Sequence, residues 1–325
     1  MLRRSVILSL LAAIALAALA PAPAHAEDYP ARTIKILTTS SAGGLSDIFT
    51  RVLADRLRAR LKQTVIVENR PGGAGNIAIG ACAAAKPDGY TFCVVEGDAI
   101  FYNQYLTKNL TYDPNHALTP VVNLFSIIQA LIVNSDLKVT TVDDLVAVSK
   151  ARKGTLSYLT ASLPLVVYME HLKKDRGADW VRVPFRGGGE ATTAVLSGTT
   201  PIALIGIGNV MPHITAGKMT AVALGNNIRT PQLPNVPTLA DTGYKGPPSR
   251  SWYGLFAPAG TPPAIVDKIN AEVRAVAGDK EFQDKFLFSR GLVPALDTPD
   301  EFAAEIKAGR ATAHQIVKDA GMEAQ

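Results

Sequence analysis

The chain has 325 residues, 33 basic against 28 acidic, for a formal net charge of +5, and 47 % of its residues are hydrophobic. So weak a positive balance, with no Lys/Arg cluster interleaved with aromatics, excludes a nucleic-acid surface and suits a small anionic ligand. Two cysteines and five scattered histidines supply no zinc-type spacing, so no metal site and no cofactor is expected.

The N-terminus reads as an export signal. MLRR supplies the charges, residues 5–20 form an apolar run too short and too early for a membrane span, and Ala24 and Ala26 make the small-x-small pattern of a cleavage site. Cleavage is expected after Ala26, into a bacterial periplasm; the alternative, an uncleaved anchor, usually lacks such a site. Arg3-Arg4 lacks the rest of a twin-arginine motif, and no Cys follows the apolar run to take a lipid. Removing 26 residues leaves 31 basic against 28 acidic side chains on about 299 residues, more than one core usually covers, so two lobes are expected.

Beyond the leader, strand-like and helix-like runs alternate. TIKILTT (33–39) precedes a helix near 46–61, TVIVEN (64–69) a helix near 76–85, and YTFCVVE (90–96) follows. VVNLFSIIQALIVN (121–134) reads as buried strands because polar residues interrupt it too often for a span. Thr141 can cap the helix that begins TTVDDL, with Asp143 and Asp144 favoured by its dipole. LSYLTA (156–161), a helix near 164–174, VRVPF (181–185), a helix near 189–197, PIALIGIG (201–208) and TAVALGN (220–226) continue the pattern. Prolines break up 229–248; WYGLFAPAG (252–260) is a strand. Two helices end the chain, 261–278 with proline in its first turn and 298–321 with a capping box from Thr298 to Glu301. Such alternation means α/β with parallel or mixed sheets, here two α/β lobes around a cleft.

Three glycine clusters lie where a strand gives way to a helix: SSAGGLSD (40–47), PGGAGNIA (71–78) and FRGGGEATT (185–193). Each alone is most simply a tight turn. Together, on both lobes, they suit an anion held by helix N-termini at the carboxyl ends of strands. Gly73-x-Gly75-x-x-Ala78, with Glu96 about twenty residues on, matches a loose dinucleotide fingerprint, but the loop NRPGG intervenes where the fingerprint wants a turn straight off the strand. Catalytic patterns are thin. Ser41 or Ser46 beside Asp47 could serve as nucleophile and orienter, yet His116, His171, His213 and His314 make no recognisable pairing with them. Cys82, late in a helix, and Cys93, in the next strand, can pair in an oxidising compartment or remain two buried thiols.

In register along the mature chain, YPARTIKIL with AGGLSD, VIVENRPGGAGN (65–76), KPDGYTF (86–92), VPFRGGGEA (183–191), LPNVPTLADTGY (233–244) and SWYGLFAPAGTP (251–262) resemble the periplasmic solute-binding proteins of tripartite tricarboxylate transporters, the Bug family. The resemblance implies a two-lobed periplasmic-binding-protein-like (Venus flytrap) fold, with the ligand cleft between the lobes. It implies lobe I at 27–126 and 253–325, lobe II at 127–252, and hinges near 124–134 and 248–255. The implied function is capture of a small organic carboxylate by hinge closure and delivery to membrane permease subunits. The protein would be a monomer and not an enzyme; the other roles are a ligand sensor feeding a two-component system, or a serine-dependent hydrolase in the same cleft. By position, Ser40, Ser41, Ala42, Gly43, Gly44 and Asp47 would form the first-lobe grip. Phe185, Arg186, Gly187 and Gly188 would face it, with Thr160, Ala161, Ser162 and Asn209 as further ligand-binding residues. This chain has Thr39, Ser40 and Ser41 where the family usually has proline and an aromatic. It also has SLPLVVYMEHL (162–172) in place of a glycine/serine loop, so that Leu163, Leu165, Val166 and Val167 either pack their helix into its lobe or make an apolar wall in the cleft.

Overall fold

The computed structural model describes residues 29–183, 188–249 and 251–324; the leader, its cleavage point, and Phe185, Arg186 and Gly187 lie outside them. Residues up to Ala31 form a unit of their own, described only at Tyr29, Pro30 and Ala31, with a cis peptide between Tyr29 and Pro30. The unit from Arg32 onward carries both sheets.

β-Branched and aromatic runs form the strands, and the polar-faced segments between them form helices. In chain order these are β1 (Ile34–Thr38), α1 (Leu45–Leu61), β2 (Val65–Asn69), α2 (Asn76–Ala83), β3 (Thr91–Glu96), α3 (Gly97–Leu106), β4 (Leu118–Ile127) and β5 (Gln129–Asn134). Then follow α4 (Val142–Ala151), β6 (Ser157–Leu159), α5 (Leu163–Arg176), β7 (Val181–Arg182), α6 (Gly188–Ser197), β8 (Ile202–Gly206), α7 (Met211–Thr215) and β9 (Met219–Leu224). The last are β10 (Trp252–Pro258), α8 (Pro263–Ala277), α9 (Lys280–Phe286), β11 (Leu292–Pro294) and α10 (Pro299–Asp319). The first sheet has the order β11-β4-β10-β3-β1-β2 and the second β7-β6-β8-β5-β9. Both are mixed: β2, β1 and β3 run parallel, whereas β10 is antiparallel to β3 and β4. This is the expected two-lobed α/β fold.

Each sheet is buried between helices. Phe49 of α1 stacks edge-on against Phe125 of β4 at 4.6 Å. On the other face Trp252, Phe101, Phe256 and Phe302 form an aromatic core under α3 and α10. In the second sheet Tyr158, Tyr168 and Trp180 fill the side under α4 and α5.

The chain changes sheets with one residue to spare. β4 ends at Ile127 and β5 starts at Gln129 in the other sheet. The intervening Ile128 donates its N–H to Gly291 O (3.1 Å), and its carbonyl accepts from Ile207 N (2.8 Å). The buried Asn226 side chain braces the junction, donating to Ile127 O (2.8 Å) and accepting from Gln129 N (2.9 Å). The return leg passes at Ser251, whose carbonyl accepts from Ile127 N (2.8 Å).

Both predicted capping devices are present, Thr141 with Asp144 and Thr298 with Glu301. Sequence reasoning missed α3, α7, α9 and β11. In α3 the run GDAIFYNQYL opens on glycine and is rich in weak helix formers. Its helix is imposed by burial of Ile100, Phe101 and Tyr102 and by α10, which approaches so closely that a Cβ on Gly309 would lie 2.3 Å from the Phe101 ring. Cys82 of α2 and Cys93 of β3 are fully buried and joined by a disulfide, with Cα atoms 6.1 Å apart.

Candidate functional site

Three neighbouring parallel strands, β2, β1 and β3, end on the same side of the first sheet, where loops leave for the helices. In open α/β sheets that is where ligand crevices form. A cavity of about 440 Å³ opens there, lined by Thr39 and Ser40 after β1, Gly72, Ala74 and Gly75 after β2, and Glu96, Asp98 and Ala99 after β3. Ala161, Leu163 and Arg182 of the second sheet's side line it too, with Tyr253 at the start of β10 and Met322 beyond α10.

Backbone geometry dominates much of this wall. Gly72 and Gly75 hold positive φ (112° and 89°), a conformation that a side chain would strain. Asn103 fixes their turn by donating to Ala74 O (2.9 Å) and to Asn76 Oδ1 (2.7 Å). Helices α2, α3 and α5 begin at Gly75, Glu96 and Ser162, and none of these starts carries a side-chain cap. Of the helices that line no part of this cavity, α4, α9 and α10 are capped by Thr141, Asp279 and Thr298, whereas α1 and α8 start at Gly44 and Pro262 without a side-chain cap. Uncapped helix starts present N–H groups and a partial positive charge to whatever occupies the space in front.

The serine-glycine loop is held from behind. Asp47 is buried, and its carboxylate accepts from Gly43 N (2.9 Å) and Asn69 Nδ2 (2.7 Å) and pairs with Arg51 (2.9 Å). Burial opposes its ionisation, but Arg51, the Gly43 N–H and Asn69 outweigh burial and hold it below the usual aspartate range. Asp47 is therefore fully engaged within the loop's own scaffold. Gly44 N–H is likewise used inside the turn, bonding to Ser41 O (3.0 Å). Ser40 lies on the cavity wall, its N–H donating to Thr38 Oγ1 (3.3 Å) and its hydroxyl against Ser46. Ser41, Ala42 and Gly43 are exposed and stand off the cavity.

On the second side Ala161 lines the cavity, while Thr160 and Ser162 are buried in the turn before α5, Ser162 Oγ lying 3.2 Å from Ser249 Oγ. Leu163 is on the cavity wall, whereas Leu165 and Val166 are buried, Leu165 in the second sheet's core, and Val167 packs towards the Trp252 cluster. Gly188 is the first residue of α6. Asn209 is exposed in a short turn whose neighbour Gly208 abuts the Arg290 carbonyl. It is not on the cavity wall.

Asp98, Tyr102, Asn103, Arg182 and Tyr253 lie on the wall and escaped the sequence reading, as did Glu96 except in the loose dinucleotide pattern. Tyr253 OH reaches Glu96 Oε2 at 3.4 Å, and the two residues are paired in register across β3 and β10. Burial raises the Glu96 carboxyl against the pull of Tyr253, and burial together with the Glu96 charge raises Asp98 well above an ordinary aspartate. Burial, with Glu96 adding, raises the Tyr253 phenol too. Arg182 donates to Thr160 O (3.3 Å) and approaches Met322 Sδ (3.6 Å). It has no carboxylate partner among the described residues. The usable signal was EGD placed directly at the carboxyl end of an apolar strand. Also among the described residues, no group of three or more His, Cys, Asp or Glu is placed to hold a metal.

Residues 49–322 match the family described as tripartite tricarboxylate transporter family receptor. Protein BugT of Bordetella pertussis is 31 % identical over 283 residues, 86 % of each chain. Among solved structures, R. palustris Rpa4515 with adipate is similar at a TM-score of 0.80 and 28 % identity, over 92 % of this chain and 100 % of that one. MatC from Rhodopseudomonas palustris with bound malate is similar at 0.73 and 26 %, over 89 % of this chain and 100 % of that one.

Proposed function

The chain belongs to the tripartite tricarboxylate transporter receptor family, and from that premise we propose that its cavity captures a small organic carboxylate for delivery to membrane permease subunits. The observation that carries the reading is the cavity wall itself: uncapped starts of α2 and α5 around one space, with Arg182 beside it. Backbone N–H groups and a helix-terminal field favour a carboxylate without requiring an arginine clamp. Relatives with adipate and malate support the same ligand class.

Capture proceeds by closure. The lobes divide as 27–126 with 253–325, and 127–252, and the single-residue passage at Ile128 and the return near Ser251 are the hinges. Residues 1–26 direct the chain to the periplasm and are removed there; the protein acts as a monomer and performs no catalysis. Ser40 and Ala161 are the members of the predicted grip that touch the ligand directly, with Asp47 shaping the loop behind Ser40.

Thermal shift and calorimetry with organic acids, and with their methyl esters and amides, test this reading. A ligand present at a hundredfold excess over its Kd stabilises by about 2.7 kcal/mol. An acid should bind and its ester should not; equal binding of the ester, or binding of sugars alone, would sink the proposal.

A further inference from the structure

A carboxylate receptor has little use for two carboxyl groups in its cavity unless the ligand carries something for them. Glu96 is the last residue of β3, and Asp98 lies one residue into α3; both line the cavity. Glu96 receives one long hydrogen bond, 3.4 Å from Tyr253. No hydrogen bond to Asp98 is made among the described residues, and the only neighbouring charge acting on it is that of Glu96.

Acidic residues at a helix start can be explained by the dipole alone. Two observations go beyond that. Neither carboxylate caps the helix, since α3 begins with no side-chain cap hydrogen bond. Both also sit where burial works against their charge, which is the reverse of a solvated dipole-stabilising acid. The same cavity is lined by the exposed Arg182, whose guanidinium meets only a carbonyl and a thioether among the described residues. The cavity thus offers a negative end at Glu96 and Asp98 and a positive element at Arg182, with the Leu163 side chain as apolar wall. Tyr102 and Tyr253 are the other titratable groups on it.

We infer that the ligand is a zwitterion, a carboxylate that also carries a protonated amine, with the ammonium held by Glu96 and Asp98. This rests on the proposed binding role and narrows its substrate class. A plain dicarboxylate would bring its second negative charge against an acid pair that is already hard to ionise. An ammonium relieves that pair, donating charge-assisted hydrogen bonds to Asp98 and to Glu96, whose partner Tyr253 is distant at 3.4 Å.

The test is calorimetric titration of the full periplasmic chain with matched probes: glutamate against glutarate, β-alanine against propionate and malonate, aminomethylbenzoate against benzoate. At least one amine-bearing member should bind about tenfold or more tightly than its deaminated twin. The Glu96→Gln/Asp98→Asn variant, shown to be folded by its melting curve, should lose that preference and gain affinity for the twin. Equal affinity within every pair, or an unchanged preference in the double variant, overturns the inference while leaving carboxylate capture intact. Binding of glutarate that strengthens in mildly acidic buffer, without gain for glutamate, also overturns it, because neutral Asp98 would then be donating to a second carboxylate. If neither member of any pair binds, the carboxylate reading itself falls.

Discussion

Replacing Asp47 by alanine should unfold the serine-glycine loop from its support and lower the stability of the whole first lobe. The buried carboxylate accepts from Gly43 N–H at 2.9 Å and Asn69 Nδ2 at 2.7 Å, and Arg51 adds an ion pair at 2.9 Å. A hydrogen bond to a charged group contributes about 1.5–3 kcal/mol, but Arg51 is roughly half exposed, so its share falls towards the surface value of under about 1 kcal/mol. Truncation also strands the Gly43 N–H and frees the Asn69 amide, which is left with Ser40 O at 3.0 Å as its remaining acceptor. The contributions are not additive, and about 3 kcal/mol is the reasonable total. At about 2–4 °C per kcal/mol for a domain of this order of size, the melting temperature should drop by about 6–12 °C. Asp47→Asn, which keeps a carbonyl for Gly43, should lose about half as much. The sign of the pH dependence is fixed by the lowered pKa of Asp47. Its contribution is fully present above the ordinary aspartate range and is lost as pH falls through its lowered value. The gap between wild type and Asp47→Asn should therefore stay flat from neutral pH down to about pH 4 and close below it. Calorimetric melting of both variants across that range checks the chain of reasoning. An Asp47→Ala protein melting within about 1 °C of wild type, or a gap that widens in acid, would refute it.

Three further outcomes follow from other parts of the molecule. Reduction of Cys82–Cys93 opens a loop closed across 11 positions of sequence, which in the chain-entropy description is worth about 3 kcal/mol, so the Cys82→Ala/Cys93→Ala protein should melt several degrees lower and lose all sensitivity to dithiothreitol. Gly97→Ala would set a Cβ 2.7 Å from the buried Trp252 indole; the overpacking should cost about 1–3 kcal/mol and shift the near-ultraviolet spectrum, and an unchanged melting temperature would contradict it. Because burial raises the Asp98 pKa, its ionisation weakens the fold as pH rises from the ordinary aspartate range through the raised value. Asp98→Asn should accordingly gain about 1 kcal/mol at neutral pH, a gain that fades in acid; equal melting at all pH values would count against it.

Much of the architecture was legible because it rests on local chemistry. Alternating runs placed nearly every strand, Thr141 and Thr298 announced their helices through capping, and glycines marked the ends of β1 and β2. What stayed hidden depends on assembly. α3 is a poor helix by propensity, made by the aromatic core and α10, so the sequence marks no element there and Asp98 went unnoticed. The bracing of Asp47 by Gly43, Asn69 and Arg51 was not legible, because no sequence pattern ties Asn69 to that loop. Arg182 sits on a two-residue strand and becomes notable only because it has no carboxylate partner among the described residues. The choice between packing and cleft wall for 163–167 had no single answer. The helix turns Leu163 to the cavity and Leu165 to its own core.

The disulfide has a consequence for recognition as well as for stability. Cys82 belongs to α2, whose first turn follows the glycine stretch at 72–75, and Cys93 lies three residues before Glu96 on β3. The covalent bond therefore fixes the spacing between two walls of one cavity before any ligand arrives. A chain that has lost it must spend part of its binding energy holding the glycine turn and the acid pair in position, a cost that preorganisation removes in advance. The disulfide thus ties α2, and with it the glycine turn ahead of that helix, to the strand that ends in Glu96.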